Sequence, residues 1–198
     1  SIQQGGCASR TGMVPSAMIQ RDFNLECVNL ATSGQARMDF YIAQAMASID
    51  DAICYVIDPV PNCTKERCDT ATYDFIKILR TLRPEVPIIM VEGLMYPYTR
   101  HDSYLAEYLP QKNECFHNGY ELHKKENPKG LYYMTHDGQT GPEMEGTVDG
   151  IHLTDYGFRA YADLLEIKIK EALDKTKVKY GLKPAYNVVR KKTRAQRK

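Results

Sequence analysis

A chain of 198 residues with 43% hydrophobic and 26% charged side chains is long enough for one domain with a full core and cramped for two. Its formal net charge of +1 conceals an asymmetry: residues 175–198 hold ten Lys or Arg and no acid, leaving 16 basic against 25 acidic side chains before them. A body at −9 presents no positive surface to a nucleic-acid backbone, and no apolar run approaches the roughly 20 residues that cross a bilayer. The expected organisation is therefore one domain over residues 1–174, followed by a basic, solvated extension over 175–198.

In chain order, Met13–Phe23 reads as a helix and Leu25–Leu30 as a strand, followed by a Ser-Gly turn and a helix from about Ala36 to Ile49. Ala52–Ile57 is continuously apolar, as a strand buried on both faces should be. Pro59 and Pro61 end it, and a helix runs from about Glu66 to Leu82. Pro87–Val91 is a further strand, Asp102 to Lys124 a helix, and Leu131–Met134 a short strand. The last helix begins behind Thr154, a good N-cap, and continues to about Lys175 with Phe158, Ala162, Leu165, Ile169 and Ala172 on one face. Regular alternation of strand and helix predicts an α/β fold, with a parallel sheet between two helical layers. Such domains open on a strand, and none precedes the first helix, so that strand is expected upstream of Ser1.

Ligand sites in open α/β sheets form outside the carboxyl ends of the strands. The loops expected there carry Ser1, Ser33-Gly34 and Pro61-Asn62, and a fourth segment, Asp149-Gly150-Ile151-His152, precedes the final helix. A serine hydroxyl becomes a useful nucleophile when an imidazole takes its proton, and a carboxylate must orient that imidazole. Asp149 and His152, three residues apart, supply orienter and base from one turn; a glycine amide at Gly34 and a side-chain amide at Asn62 suit an oxyanion. Plainer roles exist for each: Asp149 as a backbone cap, Gly34 as a positive-φ turn residue, Asn62 as a turn asparagine after proline.

Ser1-Ile2-Gln3-Gln4-Gly5-Gly6 resembles the first conserved block of a bacterial branch of the SGNH (GDSL-like) hydrolases, Gly-x-Ser-Ile-Thr-Gln-Gly. Asn29-Leu30-Ala31-Thr32-Ser33-Gly34 is similar to the second block, Asp58-Pro59-Val60-Pro61-Asn62 stands in the place of the third, and Asp149-Gly150-Ile151-His152 resembles the Asp-x-x-His block. Gln3 replaces the usual threonine, Ala31 a common glycine, and Asn62 lies between Pro61 and Cys63. The resemblance spans about Ser1 to Lys175. It implies a flavodoxin-like sheet of strand order 2-1-3-4-5, with Ser1 as nucleophile, His152 as base and then acid, and Asp149 as orienter. It further implies an oxyanion hole from the Ser1 and Gly34 amides and the Asn62 side chain. The expected activity is hydrolysis of small acyl esters, O-acetylated carbohydrate being a frequent substrate class, with neither metal nor organic cofactor. A backbone amide at Ser1 requires a preceding residue, so a segment ending in Gly-x is expected before it. An exported bacterial enzyme is the expected setting.

Two alternatives stay open: a lipid or thioester acylhydrolase, and a non-catalytic binding module that keeps the fold. A nucleotide or flavin binder is disfavoured, because no Gly-x-Gly-x-x-Gly or phosphate-binding loop is present. Glu92, Tyr96 and Arg100 follow a strand and are expected near the pocket, whereas His101, His117, His123 and His136 read as surface or loop histidines. Cys27 and Cys54 read as small buried hydrophobes; Cys63 and Cys68 could pair in an oxidising compartment, and the Cys and His spacing does not suggest zinc.

Overall fold

The computed structural model describes residues 1–181. Within them the α-helices and β-strands follow in order: α1 (Pro15–Phe23), α2 (Phe40–Ala47), β1 (Tyr55–Ile57), α3 (Lys65–Leu82), β2 (Ile88–Val91), α4 (Ser103–Glu126), β3 (Leu131–Met134) and α5 (Asp155–Leu173). The three strands form one parallel sheet in the order β1-β2-β3, with Ile57 opposite Met90 and Ile88 opposite Leu131.

The central strand explains its own composition. All four residues of β2 are completely buried, Ile89 and Val91 facing one core and Ile88 and Met90 the other. On the first face α1 and α5 pack through Met18, Ile19, Phe158, Tyr161 and Leu165. On the second, α2, α3 and α4 contribute Ala43, Phe75, Ile76, Leu79 and Phe116. Each of the larger of these side chains contributes about 1.5–3 kcal/mol on burial, so the two faces between them fix the layers. The helices start where capping side chains permit: Thr64, Asp102 and Thr154 accept from the backbone N–H of Arg67, Leu105 and Gly157.

Two expectations need correction. Leu25–Leu30 is extended but joins no ladder among the described residues. A strand is stabilised by a partner backbone, and between this segment and β1 lies a largely apolar cavity of about 510 Å³, bordered by Leu25, Cys27, Ile53, Cys54, Val56 and Leu165. Leu25 and Cys27 still pack on the first core, while Val28 and Leu30 are exposed. Among the described residues the parallel sheet thus consists of the three strands that follow this segment in the chain. The second helix also begins late: residues 35–39 are irregular, with Met38 at φ +55°, and the helix starts at Phe40.

Beyond α5 the chain folds back on α1. The Gly181 N–H donates to the Phe23 carbonyl at 2.9 Å and the Tyr180 ring lies 5.2 Å from Phe23. The remainder of the basic extension, residues 182–198, lies outside the described residues. Among the described residues no helix is long and apolar enough to cross a membrane.

Candidate active site

The carboxyl ends of the three strands lead into Asp58, Glu92 and Thr135-His136. The Ser1 segment is drawn to that end by Gln3, whose Nε2 donates to Asp58 Oδ2 at 3.1 Å. The hydroxyl of Ser1 then lies 3.0 Å from His152 Nε2, and His152 Nδ1 lies 2.7 Å from Asp149 Oδ2. Residues 151 positions apart in the chain meet within hydrogen-bonding reach.

A short hairpin holds the imidazole and its carboxylate. Thr147 and Leu153 form an antiparallel bridge, the Val148 N–H donates to the His152 carbonyl at 2.8 Å, and the Thr154 N–H donates to Gly146 at 2.9 Å. Inside it, Asp149 Oδ1 accepts from the backbone N–H groups of Ile151 and His152 at 2.9 and 2.7 Å. The turn requires glycine at position 150: its φ is +85°, and a Cβ there would sit 2.4 Å from the Tyr98 ring. Asp149 therefore caps the turn and orients the histidine at once. The hydrogen bond from the His152 ring, then those from the two backbone donors, hold its carboxyl well below the usual carboxylate range. That leaves a permanent anion to stabilise an imidazolium.

Of the other expected residues, Asn62 and Ser1 border the same cavity. Asn62 Oδ1 accepts from the Ala36 N–H at 3.3 Å, which leaves its Nδ2 amide as the free donor end. Gly34 has the expected left-handed backbone, φ +69°, with open space around it, and lies outside the cavity lining.

Glu92 is buried and faces His136 rather than the pocket. His136 donates from its backbone N–H at 2.9 Å, and its Nδ1 lies 2.6 Å from the same Glu92 oxygen. Burial pushes the Glu92 carboxyl up, but these hydrogen bonds outweigh it and leave its pKa lowered; the Glu92 hydrogen bond raises that of His136. Gln139 Nε2 adds a bond to the Glu92 carbonyl at 3.0 Å, so β2 clamps the start of the loop that carries Asp149 and His152. Tyr96 is buried beneath Tyr98, its ring 5.6 Å away and near-parallel, and Arg100 is exposed, donating to Met144 Sδ at 3.6 Å. His123 corrects the surface expectation: it is buried on α4, its ring 5.6 Å from Tyr73.

The cysteines are free. Cys63 and Cys68 are both buried, the Cys63 thiol donating to the Ala36 carbonyl at 3.5 Å, and burial pushes the Cys54 thiol up to about 12. Among the described residues no three His, Cys, Asp or Glu are grouped to hold a metal ion.

The sequence reading missed the hydrogen-bonded set formed by half-buried Gln3 and Asp58 with buried Tyr161. Tyr161 is completely buried, and its hydroxyl donates to Asp58 Oδ2 at 2.9 Å. The available signal was a carboxylate placed directly behind an apolar strand, where a solvated loop residue would be unremarked but one partly withdrawn from water needs partners.

The sequence profile of the GDSL-like lipase/acylhydrolase family matches residues 1–170. Among solved structures, a GDSL-like lipase from Bacteroides ovatus ATCC 8483 is similar with a TM-score of 0.83 at 33% identity, covering 88% of this chain and 51% of that one. A salicylyl-acyltransferase from a tetracycline biosynthetic pathway follows at TM-score 0.68 and 17% identity, covering 86% and 52%. A family two carbohydrate esterase from Clostridium thermocellum, solved in complex with cellohexaose, is similar at TM-score 0.62 and 16% identity, covering 83% and 55%. The latter two likenesses are of fold, and the chain spans about half the length of each structure. No curated protein matches the chain.

Proposed function

The chain belongs to the GDSL-like lipase/acylhydrolase family, and on that premise we propose that it hydrolyses small acyl esters through an acyl-serine intermediate. The observation that carries the reading is the pair of contacts at His152: 3.0 Å from Nε2 to Ser1 Oγ and 2.7 Å from Nδ1 to Asp149 Oδ2.

In this reading His152 Nε2 takes the Ser1 proton as Oγ attacks the ester carbonyl. The negative charge passes to the carbonyl oxygen, and Asp149 stabilises the imidazolium. The Asn62 Nδ2 amide and the Ser1 and Gly34 backbone nitrogens serve as the oxyanion donors. Collapse of the tetrahedral intermediate expels the alcohol, which takes the proton back from His152. Water, deprotonated by the same imidazole, then releases the acid and restores the Ser1 hydroxyl. The protein contributes a nucleophile, a base and hydrogen-bond donors, and each step balances without a further reactant.

For the substrate we propose O-acetyl esters on carbohydrate. The support is the resemblance of the blocks at Ser1, Asn29–Gly34 and Asp149–His152, together with a carbohydrate esterase among proteins of the same fold. The test is an esterase assay over acetylated sugars and longer-chain esters, run beside Ser1→Ala and His152→Ala. Each variant is expected to lose about 10³-fold or more in kcat while circular dichroism stays unchanged. A folded His152→Ala protein with undiminished activity overturns the mechanism, and preference for long acyl chains overturns the substrate assignment.

A further inference from the structure

Resting on the ester-hydrolase reading, we infer that Asp58 is a positioning residue, the half-buried acceptor at the cavity wall on which the nucleophile, the oxyanion donors and the base are brought into register. Three segments remote in sequence converge on one carboxylate oxygen. Gln3, two residues beyond the proposed nucleophile, donates to Asp58 Oδ2 at 3.1 Å, and Tyr161 OH donates to the same oxygen at 2.9 Å. Gln3 Nε2 also contacts the Tyr161 hydroxyl, closing the triangle. Asp58 stands four residues before Asn62, and Tyr161 lies on α5, the helix entered directly from the His152 turn. A fourth segment joins through Gln3, whose backbone carbonyl accepts from Asn29 Nδ2 at 2.7 Å, five residues before Gly34.

The cost of the arrangement argues for a purpose beyond packing. Among the described residues no Lys, Arg or His forms an ion pair with Asp58. Burial pushes its carboxyl up to about 6, against the hydrogen bonds from Tyr161 and Gln3. An apolar side chain would fill the same volume at less expense, but it would offer no shared acceptor. Ester hydrolysis itself does not call on this carboxylate, since Ser1 Oγ is served by His152 and His152 by Asp149. What it supplies is distance. Reacting groups displaced by about 1 Å can lose on the order of 10²-fold in rate, and the tether acts across the three loops whose separations set that distance.

The experiment compares wild type with Gln3→Met, Tyr161→Phe, Asp58→Leu and Asp58→Asn in the full chain. Gln3→Met and Tyr161→Phe are each expected to lower kcat about tenfold with KM within about twofold, and Asp58→Leu to lower it about a hundredfold. Asp58→Asn keeps an acceptor oxygen and should recover about tenfold of that loss. Fluorophosphonate labelling of Ser1 should slow in parallel. Independently of activity, backbone hydrogen exchange in Gln3→Met should quicken around Asp58–Cys63 and in the first turns of α5. A folded Gln3→Met protein with wild-type kcat, or with faster exchange confined to the Ser1 segment, overturns the inference. If Asp58→Leu does not fold, the two single-tether variants decide, because each leaves Asp58 one donor. If wild-type protein neither cleaves esters nor takes the probe, the ester-hydrolase reading fails, and the exchange pattern alone decides whether Asp58 registers the segments.

Discussion

Replacing Gly150 by alanine tests how tightly the proposed catalytic turn, Asp149–His152, is built. The backbone there has φ +85°, and an added methyl would lie 2.4 Å from Tyr98 Cδ1 and 2.9 Å from Cε1. Carbon atoms in contact rest about 3.5–4.0 Å apart, so ring or turn must give by roughly 1 Å. The ring has little room to retreat, because Tyr98 stacks at 23° on Tyr96, which is itself buried. The turn must then move, and with it the 2.7 Å contact between Asp149 and His152. The left-handed backbone alone costs an L-residue about 1–2 kcal/mol, which for a chain of this size lowers Tm by about 2–8 °C. A displacement near 1 Å at the base is expected to reduce kcat about a hundredfold. Steady-state kinetics and thermal melts of Gly150→Ala, alone and with Tyr98→Leu, separate the two effects. The second change removes the clash but leaves the backbone strain, so kcat should recover more than Tm. A folded Gly150→Ala protein with kcat within about twofold of wild type refutes the reasoning, as does a double variant no faster than the single one.

Asp149→Asn should preserve the turn, because an amide oxygen can still accept from Ile151 and His152, yet it removes the anion facing Nδ1. The expected loss in kcat is about 10³–10⁴-fold with little change in KM, and a loss below tenfold would show that the carboxylate does not orient the base. Asp58→Asn makes a separate claim about stability. Because the folded-state value of Asp58 is raised from 3.8 to about 6, its contribution is fully present below pH ~4 and is lost as the pH rises through about 6. Two units correspond to at most about 3 kcal/mol. The Asn variant should therefore melt up to about 6–12 °C above wild type at pH 8 and close to it at pH 4. Equal Tm differences at both pH values would refute the buried-carboxylate account.

Some of the fold could be read from local pattern. Ile88–Val91 is apolar at every position because both its faces are covered, Leu131–Met134 matches the observed β3, and Thr154 caps α5 as its residue type suggests. Leu25–Leu30 has the same look and joins no ladder among the described residues, because a strand exists only by pairing and the groove beside it holds no backbone from those residues. His136 and His123 show the same gap between residue type and setting. One finds a carboxylate 44 positions away and the other is buried beside the Tyr73 ring, neither of which spacing reveals.

What the sequence by itself determined is the set of chemical groups and the local conformations that present them. These are the acidic body with its basic end, the alternation of strands and helices, and a Ser1 segment and an Asp149–His152 turn resembling hydrolase blocks. Only the tertiary structure decided which groups meet. Ser1 reaches His152 across 151 residues, and Gln3 and Tyr161 meet on one carboxylate oxygen of Asp58. Helical and strand periods arise from backbone geometry within a few residues. A hydrogen bond between distant loops depends instead on how the whole sheet packs against its helices, and no short stretch of chain encodes that alone.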